Sequence, residues 1–178
     1  PEGLFLLVSV SLAVATMKLA RRKVLVQELY CVETLARVDV LCFDKTGTIT
    51  TGNMVVQEMD DQLAEKLSSY LAYFDDENAT SRALKNYLNC EKKWEVQEIG
   101  AFSSKNKYSF VQVKDGGTYF FGAYEFLGFS QPMSAYYENL KQQGFRILSF
   151  AYSKDQITTP ANMKLLGHVV LSDEIKDN

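Results

Sequence analysis

Val38, Val40, Leu41, Cys42 and Phe43 form a β-favouring apolar run that stops at Asp44-Lys45-Thr46-Gly47-Thr48. No other stretch constrains the fold as tightly. A strand apolar on both sides belongs inside a sheet covered by helices, and open α/β sheets bind ligands beyond the carboxyl ends of their strands. The spacing therefore predicts a buried strand delivering Asp44 into a phosphate-handling loop.

The chemistry of that loop follows from its residue types. A carboxylate at a strand end can attack a phosphoryl group and form an aspartyl-phosphate. Gly47 permits a tight turn close to a phosphate, while Lys45 and the hydroxyls of Thr46 and Thr48 supply charge and donors. Because Asp44 alone would repel phosphate, a divalent cation, Mg²⁺, is expected at Asp44 and Thr46. A plain strand and Asx-type turn is the non-functional alternative.

Asp44-Lys45-Thr46-Gly47-Thr48 resembles the phosphorylation motif of the P-type ATPases, ion pumps of the haloacid dehalogenase superfamily. Pro1-Glu2-Gly3-Leu4 resembles the end of that family's ion-binding stretch in the fourth transmembrane helix, and Val32-Glu33-Thr34-Leu35 the approach to its phosphorylation strand. The likeness is strongest over residues 1–54 and is closest to the calcium-type branch and its bacterial relatives. It implies an incomplete α/β phosphorylation domain of the haloacid dehalogenase type, with an inserted α+β nucleotide-binding domain on an antiparallel sheet.

The implied domains are half of a transmembrane helix (1–20), a stalk with the first part of the phosphorylation domain (21–53), the nucleotide-binding domain (54–165) and a return into the phosphorylation domain (166–178). The later Thr-Gly-Asp segment and Gly-Asp-Gly-x-Asn-Asp loop of the family do not occur, so the chain is expected to be part of a larger pump. By itself it is expected to be catalytically incomplete.

A length of 178 residues, a hydrophobic content of 47% and a net charge of −3 describe a globular chain with a sizeable core. They give no reason to expect nucleic acid as a partner. Cys31, Cys42 and Cys90 lack metal-ligand spacing and are expected to be free thiols in a reducing compartment.

Gly3 to Thr16 is apolar apart from two serines. A helix over these residues measures about 21 Å, short of a hydrocarbon core of roughly 30 Å. Lys18, Arg21, Arg22 and Lys23 follow it, the reverse of a secretory signal. The positive-inside rule then places everything after about residue 20 in the cytoplasm, within a multi-pass protein of the cell membrane that meets lipid through this helix. Glu2, between Pro1 and Gly3, is a candidate ligand for the transported cation in the intact pump. Val24-Leu25-Val26 reads as a short strand and residues 33–37 as a helical turn.

Beyond Gly52, residues 54–59 read as a strand. Residues 62–74 carry Leu63, Leu67, Tyr70, Leu71 and Phe74 at helical spacing. A second helix, capped by Thr80 or Ser81, carries Ala83, Leu84, Tyr87 and Leu88. Residues 94–102, 108–114 and 118–123 read as strands, with Asp115-Gly116-Gly117 marking a hairpin. A helix over 132–143 ending at Gly144, and strands over 145–152 and 166–171, complete the pattern. His168, the sole histidine, reads as structural.

Phe102 and Lys107 are spaced so that a ring can stack on a base while an ammonium reaches phosphate. The spacing resembles the nucleotide-domain motif of the P-type ATPases, which implies ATP as ligand. Gly122-Ala123 resembles the family's Lys-Gly-Ala motif, and Arg146 matches an arginine that contacts nucleotide phosphates. Asp173 and Lys176 match the pair that closes the site over nucleotide; a helix cap with a surface ion pair is the alternative reading.

Two departures remove polar contacts: Phe121 stands where the motif has lysine, and Ser81 where many members have glutamate. Together these expectations describe an ATP-driven cation pump, Ca²⁺ being the favoured ion. Two alternatives stand beside it, a non-catalytic nucleotide-binding module and a soluble haloacid dehalogenase phosphatase. The phosphatase would place an acid two residues after the nucleophile, where this chain has Thr46, and lacking that acid the aspartyl-phosphate would be longer-lived.

Overall fold

Alternating apolar residues and turn signals assemble into one six-stranded antiparallel sheet in the computed structural model, which describes residues 2–76 and 78–176. The chain divides into two compact units, residues 1–43 and 44–178. The first holds helices α1 (Glu2–Arg21) and α2 (Cys31–Ala36).

Helix α1 runs five residues beyond the apolar stretch read from the sequence, because Met17, Leu19 and Ala20 prolong the helical pattern and Lys18 and Arg21 suit its C-terminal turn. At 20 residues it spans about 30 Å, so it is long and apolar enough to cross a membrane by length and composition. Most of its apolar side chains are exposed, Leu4 at 69% and Phe5 at 75%. The side chain of Glu2, the expected cation ligand, lies outside the described side chains.

Two expected strands do not form. Val24 to Val26 is irregular, and Val38 to Asp44 forms no regular element, with a bend at Asp39 and with Val40, Leu41 and Phe43 exposed. A strand is defined by its ladder, and no described segment pairs with this one. The parallel α/β layer expected around it is therefore not formed among the described residues.

The second unit holds strands β1 (Thr50–Met59), β2 (Val96–Gly100), β3 (Tyr108–Val113), β4 (Gly117–Gly122), β5 (Arg146–Ser153) and β6 (Lys164–Ile175), with helices α3 (Asp61–Leu71), α4 (Ala79–Tyr87) and α5 (Ala135–Gln142). The sheet order is β1-β6-β5-β4-β3-β2, and every neighbouring pair is antiparallel.

Strand alternation puts successive residues on opposite faces. Val111, Phe121, Phe150, Val169 and Leu171 meet Leu63, Leu67, Tyr70 and Phe74 from the α3 segment and Leu84 from α4. Phe120 and Ala151 meet Leu127 and Met163 on the other face, beside a cluster of Met133, Ile147 and Val170. Each fully buried side chain such as Leu67 or Leu84 contributes about 1.5–3 kcal/mol by leaving water.

Caps and turns differ from expectation in two places. Asn78, not Thr80 or Ser81, caps α4, its Oδ1 accepting from the Ser81 amide at 2.9 Å. The stretch after Leu171 does not begin a helix: β6 continues to Ile175 because Ser172 and Asp173 pair with Val55 and Met54. The hairpin at Asp115 forms as its residues require, with φ of 58° at Asp115 and 79° at Gly117. His168 is buried on the second face. Its Nδ1 lies 2.9 Å from Ser149 Oγ and its ring packs on Tyr137, and burial pushes its pKa down.

Candidate functional site

The sheet order has a simple consequence for the predicted residues. With every pair antiparallel, the starts of β1, β5 and β3 and the ends of β6, β4 and β2 fall at one end of the sheet. The Asp44 loop runs into β1, while Asp173 and Lys176 lie at the end of β6. Arg146 starts β5, Gly122 and Ala123 finish β4, Lys107 precedes β3, and Phe102 follows β2. Residues up to 132 positions apart thus share one sheet end, although the packing of helices on the faces did not require it.

The Asp44 loop is built from backbone conformations that its sequence permits. Asp44 is extended, with φ −67° and ψ 139°, and its carboxylate makes no capping bond. Lys45 to Ile49 winds in an irregular wide turn broken at Thr46 (φ −80°, ψ 120°) and at Gly47 (φ 79°, ψ −16°). The positive φ at Gly47 is where glycine is needed. The Gly47 amide donates to Thr50 Oγ1 at 3.3 Å, and the amide of Thr50, itself buried, donates to the Lys45 carbonyl. The hydroxyl-bearing residues Thr46 and Thr48 are exposed, as is Asp44.

The end of β6 grips this loop. Lys45 Nζ stands 2.6 Å from Asp173 Oδ2. Lys176 Nζ donates to the Gly47 carbonyl at 2.6 Å and lies 3.2 Å from that of Thr48, and the Lys176 amide donates to the Ile49 carbonyl at 3.1 Å. Alongside, Glu174 Oε2 accepts from Thr51 Oγ1 at 2.8 Å and from Asn53 Nδ2 at 3.2 Å, and these bonds hold its carboxyl below the usual range. Sequence reasoning missed Thr51, Asn53 and Glu174. They join across 121 or more positions, and nothing local marks them.

The remaining predicted residues form a second group. Lys107, exposed at φ 60°, closes a turn in which its amide donates to the Ser103 carbonyl at 2.8 Å and the Asn106 amide to Ser103 Oγ at 3.0 Å. The Ala123 amide donates back to the Lys107 carbonyl at 3.0 Å, so Lys107 and Gly122-Ala123 are locked together. A Cβ at Gly122 would lie 2.3 Å from the Lys107 carbonyl oxygen, so only glycine fits there. Phe102 is half exposed, at 49%. Arg146 Nη1 donates to Thr80 Oγ1 at 2.8 Å, tying the start of β5 to the first turn of α4.

The two departures from the motif both turn inward. Phe121 is 7% exposed, its ring 6.2 Å from those of Tyr70 and Phe150, and Ser81, in the first turn of α4, is equally buried. Tyr70, fully buried, donates to Ser109 Oγ at 2.9 Å, and burial raises its pKa. The position that would carry a polar contact is therefore core. In the first unit, a surface cavity of about 520 Å³ is lined by Leu19, Val24, Tyr30, Cys31 and Leu35, and by none of the predicted site residues.

No family model matches the chain. Individual relatives do. It is 35% identical over 99% of its length to the probable cation-transporting ATPase exp7 of Streptococcus pneumoniae, and 33% identical over 99% to the calcium-transporting ATPase CtpE of Mycobacterium tuberculosis. In each case it spans 24% of the relative's length. Its fold resembles a zinc-transporting PIB-type ATPase (TM-score 0.59, 19% identity, 95% of this chain and 27% of that one). It also resembles the catalytic domain of the CPx-ATPase CopB-B, solved in a study of nucleotide binding (TM-score 0.55, 15% identity, 86% and 51%). The antiparallel sheet and its helices are thus those of ATPase catalytic domains. Over the quarter of these relatives' length that it spans, the chain is similar to cation-transporting ATPases along nearly its whole sequence.

Proposed function

We propose that this chain supplies the phosphoryl-acceptor loop and the nucleotide-binding domain of an ATP-driven cation pump. The observation carrying this reading is the convergence of the Asp44 loop, Arg146, Gly122-Ala123 and Lys107 on one sheet end. Phe102 would stack on the base, and Lys107, Arg146 and Thr48 would meet the phosphates. Gly122 leaves room for close approach.

In the transfer, an Asp44 carboxylate oxygen forms a bond to the γ-phosphorus while the bond to the β-phosphate oxygen breaks, and ADP leaves with that electron pair. Thr46, at the position where a phosphatase keeps its acid, cannot activate water, so the acyl-phosphate persists until the pump supplies a route for its hydrolysis. Asp44 and the Thr46 segment fit a Mg²⁺ site in kind, because Mg²⁺ binds through one or two carboxylates plus substrate phosphates and water, and the Asp44 carboxylate is exposed without a capping bond. When bound, the ion neutralises charge on the transferring phosphoryl group.

Helix α1 would lie in lipid, with Lys18, Arg21, Arg22 and Lys23 at the cytoplasmic surface and the rest of the chain inside the cell. Its Glu2 would contribute to the path of the transported ion, which the calcium-transporting relatives suggest is Ca²⁺. Titrating ATP into the chain while following amide shifts tests the nucleotide reading. Shifts are expected at Phe102, Lys107, Gly122 and Arg146, and shifts confined to other regions contradict it.

A further inference from the structure

We propose that Lys176 and Asp173 are positioning residues that clamp the acceptor loop to the end of β6, and that Lys176 acts on the loop backbone and not on nucleotide. This rests on Asp44 being the phosphoryl acceptor.

The loop is tied to β6 on both sides of Thr46. Before it, the Lys45 ammonium is held by the Asp173 carboxylate at 2.6 Å. After it, the Lys176 ammonium reaches the successive carbonyls of Gly47 and Thr48, at 2.6 and 3.2 Å. The Lys176 amide adds a bond to Ile49, and Thr50 pairs with Ile175. An ammonium has three donors. Two of those on Lys176 face the loop, which leaves it poorly placed to serve a triphosphate as well.

The sequence of the loop explains why a clamp is needed. Gly47 has more conformational freedom than any other residue and sits at φ 79°, where the two carbonyls turn to the same side. A single cation bridging them selects this one conformer. Asp44 and Thr46, the residues that would meet the phosphoryl group, are left exposed on a braced backbone. Lysine suits the task better than arginine would suit nucleotide here, because a compact charge reaches two carbonyls without needing the planar bidentate partner that a phosphate offers.

The clamp makes separable predictions for Lys176→Met and Lys176→Arg. In this chain, Lys176→Met should speed hydrogen exchange at the Gly47 and Thr50 amides, which bond Thr50 Oγ1 and the Lys45 carbonyl within the loop, about five-fold, the factor expected for one hydrogen bond, while Val169 and Val170 stay protected. Lys176→Arg, which keeps donors, should restore most of the protection. In membranes carrying the full-length protein, Lys176→Met should slow acid-stable labelling at saturating ATP about ten-fold while leaving the Kd for ATP within about two-fold. Asp173→Asn should act in the same direction.

Unchanged loop exchange in Lys176→Met overturns the clamp. So does a weakened ATP Kd with normal labelling at saturation, which would make Lys176 a nucleotide contact. Labelling that survives Asp44→Asn would instead overturn the acceptor reading, and the exchange data on the chain would still decide the clamp.

Discussion

Lys45 Nζ lies 2.6 Å from Asp173 Oδ2, joining residues 128 positions apart across the loop that follows Asp44. The lysine is 57% exposed and the aspartate 20%, so water screens the pair. An ion pair of this exposure contributes below about 1 kcal/mol. Its value lies in where it holds the loop.

Asp173→Asn should accordingly leave the urea unfolding midpoint of the chain almost unchanged, with a loss under about 1 kcal/mol. A large loss, measured by denaturant titration at neutral pH, would show that Asp173 supports the sheet and not the loop.

Gly122→Ala tests the junction of Lys107 with β4. The added Cβ would stand 2.3 Å from the Lys107 carbonyl oxygen and 2.6 Å from Tyr108 Cα, both backbone atoms that cannot rotate away. The expected cost is about 1–3 kcal/mol, as for overpacking elsewhere, with altered amide shifts over residues 103–108. Denaturant titration and a two-dimensional amide spectrum measure both.

Phe121→Lys would reinstate the residue type of the family motif. Because Phe121 is buried against Tyr70 and Phe150, the ammonium would enter the core without a partner. Destabilisation of about 3–5 kcal/mol is expected, with no gain in ATP affinity. Isothermal titration alongside denaturation separates the two effects.

His168 provides a pH prediction. Burial lowers its pKa below the ordinary 6.5, so the unfolded chain binds the proton more readily. The stabilisation is complete above about pH 6.5 and is lost as pH falls through the depressed folded value, at up to about 1.4 kcal/mol per pH unit. Unfolding free energies compared at pH 7.5 and 5.5 should fall for the native chain and fall less for His168→Gln.

Much of the second unit could be read from the sequence, for reasons visible in single elements. Leu63, Leu67, Tyr70 and Leu71 announced α3 by their spacing, and Asp115-Gly116-Gly117 announced the β3–β4 hairpin by its need for positive φ. The apolar run before Asp44 misled for an equally physical reason. Its composition records what buries it, but a strand forms only against a partner, and none is among the described residues. The Asn78 cap was missed because Thr80 and Ser81 compete as capping residue types only two and three positions on. The strand through Asp173 was missed because its pairing with β1 is non-local. Motif spacing singled out the candidate residues one by one. Only the antiparallel order of the sheet explains why they meet at one end.

The proposed pump reaction stands on Asp44 accepting the phosphoryl group. Incubating membranes of the full-length protein with γ-labelled ATP, quenching in acid and counting protein-bound label addresses it directly. Rapid acid-stable labelling is expected, removed by hydroxylamine and abolished by Asp44→Asn. Undiminished labelling of Asp44→Asn would place the acceptor on another residue and contradict the role proposed for Asp44.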